Sequence, residues 1–363
     1  MPTTTGMRGE GFYDTHSSPQ WEALAAFLPW LEEAIGRIPL PQGDNACFRL
    51  LDIGSSEGAN ATRAAGRLIQ AVRRRSDLPI EVGFDDLPSN NFNQLFLNLF
   101  PQGSWRFDGA GEVYATVVAG SAFARLRPGG SLQVATTFNA IGFLERQPPT
   151  PVSHYVLAMP PGPCSPRSGV GVPEAATAAY QAEAARNLRA FYAARAAELA
   201  PGGALLVQVF GRNAQHSTSH GLYDVLSDAL LDLVDAGAIA RAFYAQLVFP
   251  LYFRSEQELI APVQAGTPLA ESWRLERSGT REVPVPFQQQ FERDGDRAGW
   301  AASYTNFLRA FTEPIVARQL EQAGLAAAPV VEQLYRRVEE RLNREPSRYP
   351  FHFISIAALL TRV

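Results

Sequence analysis

The residues Asp52-Ile53-Gly54-Ser55-Ser56-Glu57-Gly58 stand between a short apolar run, FRLLDI from Phe48 to Ile53, and a helical pattern from Ala59 to Arg75. A glycine at such a strand-to-helix turn lets the backbone approach a ligand, and the start of the helix offers free N–H groups. Ser56 takes the place of the middle glycine of a dinucleotide fingerprint, so a pyrophosphate fits poorly. An adenosine ligand without phosphate, such as S-adenosylmethionine, suits the turn better. Asp86 follows Asp52 by 34 residues, just beyond a second apolar run from Pro79 to Phe84. There a carboxylate can accept both hydroxyls of a ribose. The plainer alternatives are a tight connection for the glycine turn and a helix cap for Asp86.

Other chemistry is poorly supported. The histidines are His16, His154, His216, His220 and His352, and only His216 and His220 have metal-pair spacing. They fall in the polar stretch NAQHSTSHG without a third ligand nearby in sequence, which reads as a solvated loop. Ser55 and Ser56 lack the G-x-S-x-G surroundings of a nucleophile elbow. Two cysteines, Cys47 and Cys164, make neither a disulfide framework nor a zinc site. The chain has no lysine and abundant alanine, which points to a GC-rich, bacterial coding sequence and removes lysine chemistry. With a formal net charge of -4 and scattered arginines, it has no electrostatic footprint for nucleic acid; a small-molecule partner is expected. No apolar run reaches membrane-spanning length and the first ten residues lack a signal-like apolar core, so a cytoplasmic location is expected.

Positioning the glycine turn requires a strand, a helix and a second strand. That βαβ grammar implies a parallel sheet and a doubly wound α/β fold. Further strands are expected at SLQVAT, Ser131 to Thr136, and ALLVQVF, Ala204 to Phe210, each entered from a Pro-Gly-Gly turn. Between them Pro148 to Pro173 holds eight prolines, a pattern suited to a lid loop over a site. Glu174 to Leu199 and Leu222 to Asp235 have helical periodicity. The expected organisation is a core over 1–212, a mostly helical cap over 213–321, and a helix (Val330 to Asn343) and strand (Phe351 to Leu360) completing the core over 322–363. Strand signals are weak from Gly237 to Arg297.

Read together, these segments resemble the SABATH family of carboxyl and N-methyltransferases, along nearly the whole chain. The most specific segment is FDDLPSNNFNQLF, Phe84 to Phe96, which is similar to the family's NDLPxNDFNxLF. It is joined by YDTHSSPQ (Tyr13 to Gln20), LLDIGSSEGAN (Leu50 to Asn60), AGSAFARLRPGGSLQ (Ala119 to Gln133), AFTEP (Ala310 to Pro314) and the closing ISIAALLTR. The resemblance implies a Rossmann-like class I methyltransferase core with a largely helical cap. It also implies S-adenosylmethionine as cofactor, with S-adenosylhomocysteine as product, and a small organic acid, aromatic or isoprenoid, as methyl acceptor. Homodimers are common in the family.

By position, the resemblance puts Ser17, Asp52, Gly54, Asn60, Asp86, Leu87, Ser121 and Ala122 around the cofactor. Gln20 matches an amide that binds the acceptor carboxylate. Phe143 falls where carboxyl methyltransferases have a tryptophan N–H donor, which phenylalanine lacks. Asn139, at a position usually held by tyrosine, is the candidate replacement donor. Tyr13, Phe210, Tyr223, Tyr252, Leu308, Phe311 and Phe353 are the other acceptor-pocket candidates. Ala245-Gln246-Leu247-Val248 occupies the place of a D-x-F-N segment that serves a Mg²⁺ site in some relatives, so no metal is expected. A heterocyclic nitrogen as acceptor, or a non-catalytic adenosine-ligand sensor, are the competing readings.

Overall fold

Alternating apolar runs and helical stripes assemble into one sheet with helices on both faces and a helical layer above its carboxyl edge. The computed structural model describes residues 6–150, 152, 154–167 and 169–363. In chain order the elements are α1 (Phe12–His16), α2 (Ser18–Ala25), α3 (Leu28–Ile35), β1 (Phe48–Ile53), α4 (Ala59–Arg73), β2 (Ile80–Asp86), α5 (Phe92–Leu99), β3 (Val113–Ala119) and β4 (Leu132–Phe138). They continue with α6 (Glu174–Glu198), β5 (Leu199–Phe210), α7 (Leu222–Asp235), α8 (Arg241–Gln246), α9 (Glu256–Ile260), β6 (Trp273–Val283), α10 (Pro286–Asp294), α11 (Arg297–Gln322), α12 (Ala327–Arg344) and β7 (Phe353–Arg362).

The seven strands lie in the order β3-β2-β1-β4-β5-β7-β6. Strands β1 to β5 pair in parallel, and β7 runs against both β5 and β6. Strand β1 sends Phe48 and Leu50 into a core with α2, α3 and α4, and Leu51 and Ile53 into a second core with α6. Burial on both faces explains why its sequence is a continuous apolar run. The chain leaves β1 toward β2 on one side and β4 lies on the other, which opens a crevice at the carboxyl end of β1 where ligands bind in such sheets.

Two strands were not among those expected from the sequence. Strand β6, WRLERSGTREV, is an edge strand whose buried residues are confined to its two ends, Trp273 and Val283, so charge outweighs the apolar pattern. It lies inside the stretch 213–321 expected as mostly helical cap and belongs to the core sheet. Strand β3, at the opposite edge, is only part-buried along most of its length. The helix expected to complete the core, α12, packs instead on α7 and α11. Its stripe Val330, Leu334, Val338 and Leu342 enters the cap cluster with Leu226 and Leu230. Within the proline-rich stretch 148–173, Pro151, Ser153 and Ser168 lie outside the described residues; Val152, Tyr155, Val156 and Leu157 are buried in the cap cluster. No helix among the described residues is long and apolar enough to cross a membrane.

Candidate active site

The crevice at the end of β1 opens into a cavity of about 1130 Å³, mouth included, between the sheet edge, α1 and α2, and the cap. Its polar end is built by two turns. After β1, Gly54 adopts φ +84°, and a Cβ there would lie 2.3 Å from the Cβ of Ala140. Ser56 also adopts a left-handed φ of 52°, so the conformation of the missing glycine is kept by a serine. This turn aims the Ser56 N–H at Asp86 Oδ2 (2.6 Å), while Asp86 Oδ1 accepts the N–H of Leu87 (2.7 Å). Burial pushes the Asp86 carboxyl up to about 6. Beside it, Asp85 is buried with Oδ1 unpartnered, and its carbonyl accepts the N–H groups of Gly54 (2.8 Å) and Ser55 (2.9 Å). Burial, reinforced by the neighbouring Asp86, pushes Asp85 up to about 8, so it holds a proton at neutral pH.

The N-terminal helices close this end from above. Asp14 Oδ1 accepts the N–H of Ala59 at 3.1 Å, capping α4 from another element. Glu57 Oε1 accepts the N–H of Gly11 at 2.9 Å, and Asn98 bonds both Asp14 and the Glu57 carbonyl. Arg8 then reaches the cap, pairing with Glu313 at 3.1 Å.

The other end is aromatic. Phe143 meets Phe210 edge to face with centroids 6.1 Å apart, and Phe210 lies 4.9 Å from Phe253. A Cβ on Gly142 would fall 2.1 Å from the Phe210 ring, so only glycine lets that ring lie there. Phe307, Phe311, Tyr223 and Phe353 complete the wall. Two amides punctuate it. Gln20 is buried and its Oε1 has no protein partner. Asn139, at φ 64°, accepts the Phe210 N–H (2.9 Å) and Gln208 Nε2 (3.2 Å) on Oδ1, which turns its NH₂ group away as a donor. Among the described lining residues there is no arginine, lysine or histidine; Asp86 and Glu145 are the neighbouring acids besides Asp85.

Of the residues singled out by sequence, Tyr13, Gln20, Gly54, Asp86, Leu87, Ser121, Ala122, Asn139, Phe143, Phe210, Tyr223, Phe311 and Phe353 line this cavity. Five do not. Ser17 and Asn60 stand behind the wall, Asn60 Nδ2 donating to Ser17 Oγ at 3.0 Å. Asp52 is buried and ties β1 to β4 through Thr136 Oγ1 (2.7 Å) while accepting Ser55 Oγ (3.0 Å). Tyr252 lines a different cavity and donates to Glu258 at 2.7 Å. Leu308 is fully buried in the cap core. The side chains that face the site are their neighbours Phe253 and Phe307, because adjacent residues point to different sides of an extended chain or of a helix. Sequence reading also passed over Asp85 and Glu145; adjacency to Asp86 was the one available signal for the former.

The orphaned Asp85 carboxyl oxygen, the left-handed turns and the acidic polar end fit an adenosine ligand bearing a positive charge. A family profile described as SAM dependent carboxyl methyltransferase matches residues 2–363. Among curated relatives, the O-methyltransferase acrG of Aspergillus aculeatus is 28% identical over 79% of this chain and 74% of its own. Gibberellic acid methyltransferase 1 of Arabidopsis thaliana is 26% identical over 81% and 80%. Salicylate carboxymethyltransferase of Clarkia breweri is 25% identical over 98% and 96%. A solved structure of loganic acid methyltransferase with SAH superposes with a TM-score of 0.77 at 21% identity, covering 98% of both chains, which establishes the shared fold.

Proposed function

The chain belongs to the SAM-dependent carboxyl methyltransferases, the SABATH enzymes, and on that premise we propose which of its residues carry the reaction and what acid it esterifies. S-Adenosylmethionine supplies an electrophilic methyl group; the product is a methyl ester. Asp86 holds the ribose hydroxyls, with Gly54, Leu87, Ser121 and Ala122 around the nucleoside. Ser17, Asp52 and Asn60 support that wall from behind. Gln20 and the NH₂ group of Asn139 receive the acceptor carboxylate, and Phe143 packs against it without donating.

The acceptor needs no base, because a carboxylic acid of pKa about 4 is already ionised at neutral pH. The protein's task is alignment: carboxylate oxygen, methyl carbon and sulfur in line at about 3 to 3.5 Å. Joining an anion to a cation cancels both charges, so excluding water favours transfer. The N-terminal helices, latched by Asp14 and Glu57, and the proline-rich stretch are suited to that exclusion. The observation that carries this reading is the buried Gln20 side chain on the wall of the cavity that also holds Asp86, its Nε2 making no hydrogen bond to the protein and so left as the donor a carboxylate needs.

The aromatic wall and the lack of a cation favour an aromatic or isoprenoid acid with a single carboxylate, since a second anion would find no countercharge. Incubation with labelled cofactor and a panel of benzoates, indole acids, terpenoid acids, dicarboxylates and purines tests this. Base-labile label on aromatic or terpenoid monoacids is expected; label on dicarboxylates alone, or on purine nitrogen, would overturn it. A cytoplasmic homodimer is the expected state; the half-exposed Phe96, Leu97 and Phe100 around α5 support the dimer. Sedimentation velocity tests the dimer.

A further inference from the structure

Away from the cavity, three segments distant in sequence bring two imidazoles and a carboxylate together. His216 lies in the tight turn closed by the Arg212–Ser217 bridge, His352 immediately precedes β7, and Glu282 is near the end of β6. The rings of His216 and His352 stack with centroids 3.8 Å apart and planes 12° apart. His352 Nδ1 lies 2.7 Å from Glu282 Oε1. One ligand atom from each residue falls within 4.8 Å of the other two. The pair suggested by sequence spacing is different: His220 turns its Nδ1 toward the Ser217 N–H at 3.4 Å, and the second imidazole comes from His352.

We propose that His216, His352 and Glu282 form an accessory site for a borderline divalent cation such as Zn²⁺ or Co²⁺. Two imidazoles and one carboxylate are a ligand set that holds Zn²⁺ with one position left for water. Imidazole favours Zn²⁺, Co²⁺ or Ni²⁺ over Mg²⁺ and Ca²⁺, which prefer all-oxygen shells. Tetrahedral coordination with bonds of about 2.0–2.1 Å places donor atoms roughly 3.4 Å apart. Binding requires the two stacked rings to turn out of parallel so that their in-plane nitrogen lone pairs converge on the ion, a rotation that the part-exposed side chains leave room for. The ion is no part of methyl transfer, since none of its ligands lines the cavity. It acts one step away. Phe353, next to His352, and Thr218, two residues after His216, both line the cavity, and Thr218 is already tied to Ile354 by a pair of 2.9 Å bonds. Metal therefore clips the 212–217 turn to the β6–β7 edge and stiffens one wall of the acceptor chamber.

The test uses untagged full-length protein titrated with Zn²⁺ by calorimetry and with Co²⁺ by absorption spectroscopy. One equivalent with micromolar affinity, a Co²⁺ spectrum of nitrogen and oxygen ligation without thiolate charge transfer, and a raised Tm are expected. His352→Gln and Glu282→Gln are each expected to weaken binding at least about tenfold while keeping wild-type methyl transfer in metal-free buffer. The wild-type spectrum stands independently of how any variant folds. No saturable binding, binding unchanged in His352→Gln, or binding abolished by His220→Ala or Cys164→Ser would overturn the proposal.

Discussion

The two ends of the cavity are made in opposite ways. The polar end comes from short continuous stretches, 54–56, 85–87 and 120–123, whose main-chain turns set the geometry and whose lining side chains, Leu87 and Phe123 apart, are small or acidic. The aromatic end draws scattered side chains from α2, α7, α11, the loop after β4, the segment between α8 and α9, the end of β5 and the start of β7, with no main-chain motif in common. A ligand common to a whole family can be met by backbone geometry, which is costly to change. An acceptor that varies among relatives is met by side chains that can be exchanged without disturbing the sheet. The contrast predicts that losing the ribose-binding acid at the polar end weakens cofactor binding, whereas damage at the aromatic end changes acceptor kinetics and leaves cofactor affinity alone.

The largest effect is therefore expected at Asp86. Removing a charged acceptor of two hydroxyl hydrogen bonds costs about 3 kcal/mol, so Asp86→Ala should raise the Kd for S-adenosylhomocysteine by roughly 100-fold, read by calorimetry. An unchanged Kd would remove the division between the two ends. Next comes the amide pair. Gln20→Ala is expected to raise the acceptor KM by roughly tenfold, about 1.4 kcal/mol for a charge-assisted bond. Asn139→Asp keeps the oxygen that accepts the Phe210 N–H but loses the donor and faces the acceptor with a like charge. Its KM should rise at least as much at neutral pH, with cofactor Kd within about twofold of wild type.

A smaller effect sharpens the boundary of the aromatic end. Phe253→Leu removes a ring that lies 4.9 Å from Phe210 and is expected to shift the acceptor KM several-fold. Tyr252→Phe removes only the bond to Glu258 in the other cavity, so steady-state kinetics should stay at wild type. The reverse result would restore Tyr252 to the site.

This asymmetry also explains what could be read in advance. The strand-turn-helix after β1 and the acid ending β2 are local, so their spacing in the chain carries their geometry, and the sheet around them followed from βαβ grammar. Phe253 and Phe307 became visible only once the chain was folded, because a one-residue shift in an extended segment or a helix exchanges the facing side chain, as it did for Tyr252 and Leu308. Ser17, Asn60 and Asp52 were found at the right place but one layer back, since sequence position fixes proximity without fixing direction. Edge strand β6 was hidden by its solvent-facing charges, and the partner of His216 was hidden by a separation of 136 positions in the chain.

The smallest effect at neutral pH is expected at Asp85, where the family segment NDLPxNDFNxLF has asparagine. With its carboxyl raised from 3.8 to about 8, Asp85 is neutral at pH 7, and Asp85→Asn replaces one uncharged donor and acceptor by another. Cofactor Kd at pH 7 should change by less than about twofold. The pH dependence should change more. Between pH 4 and 8 the unfolded chain has lost this proton while the folded chain keeps it, so folding stability falls as pH rises, by at most about 1.4 kcal/mol per unit. The stabilising contribution of the protonated group is complete below pH 4 and exhausted above about pH 8. Asparagine lacks that slope, while Asp52 and Asp86, both raised to about 6, keep theirs in either protein. The Tm advantage of Asp85→Asn over wild type should therefore grow steadily from pH 5 to pH 8 in calorimetric scans. A constant offset across that range would mean that Asp85 is ionised in the folded protein, and the polar end would then carry one more negative charge than its geometry indicates.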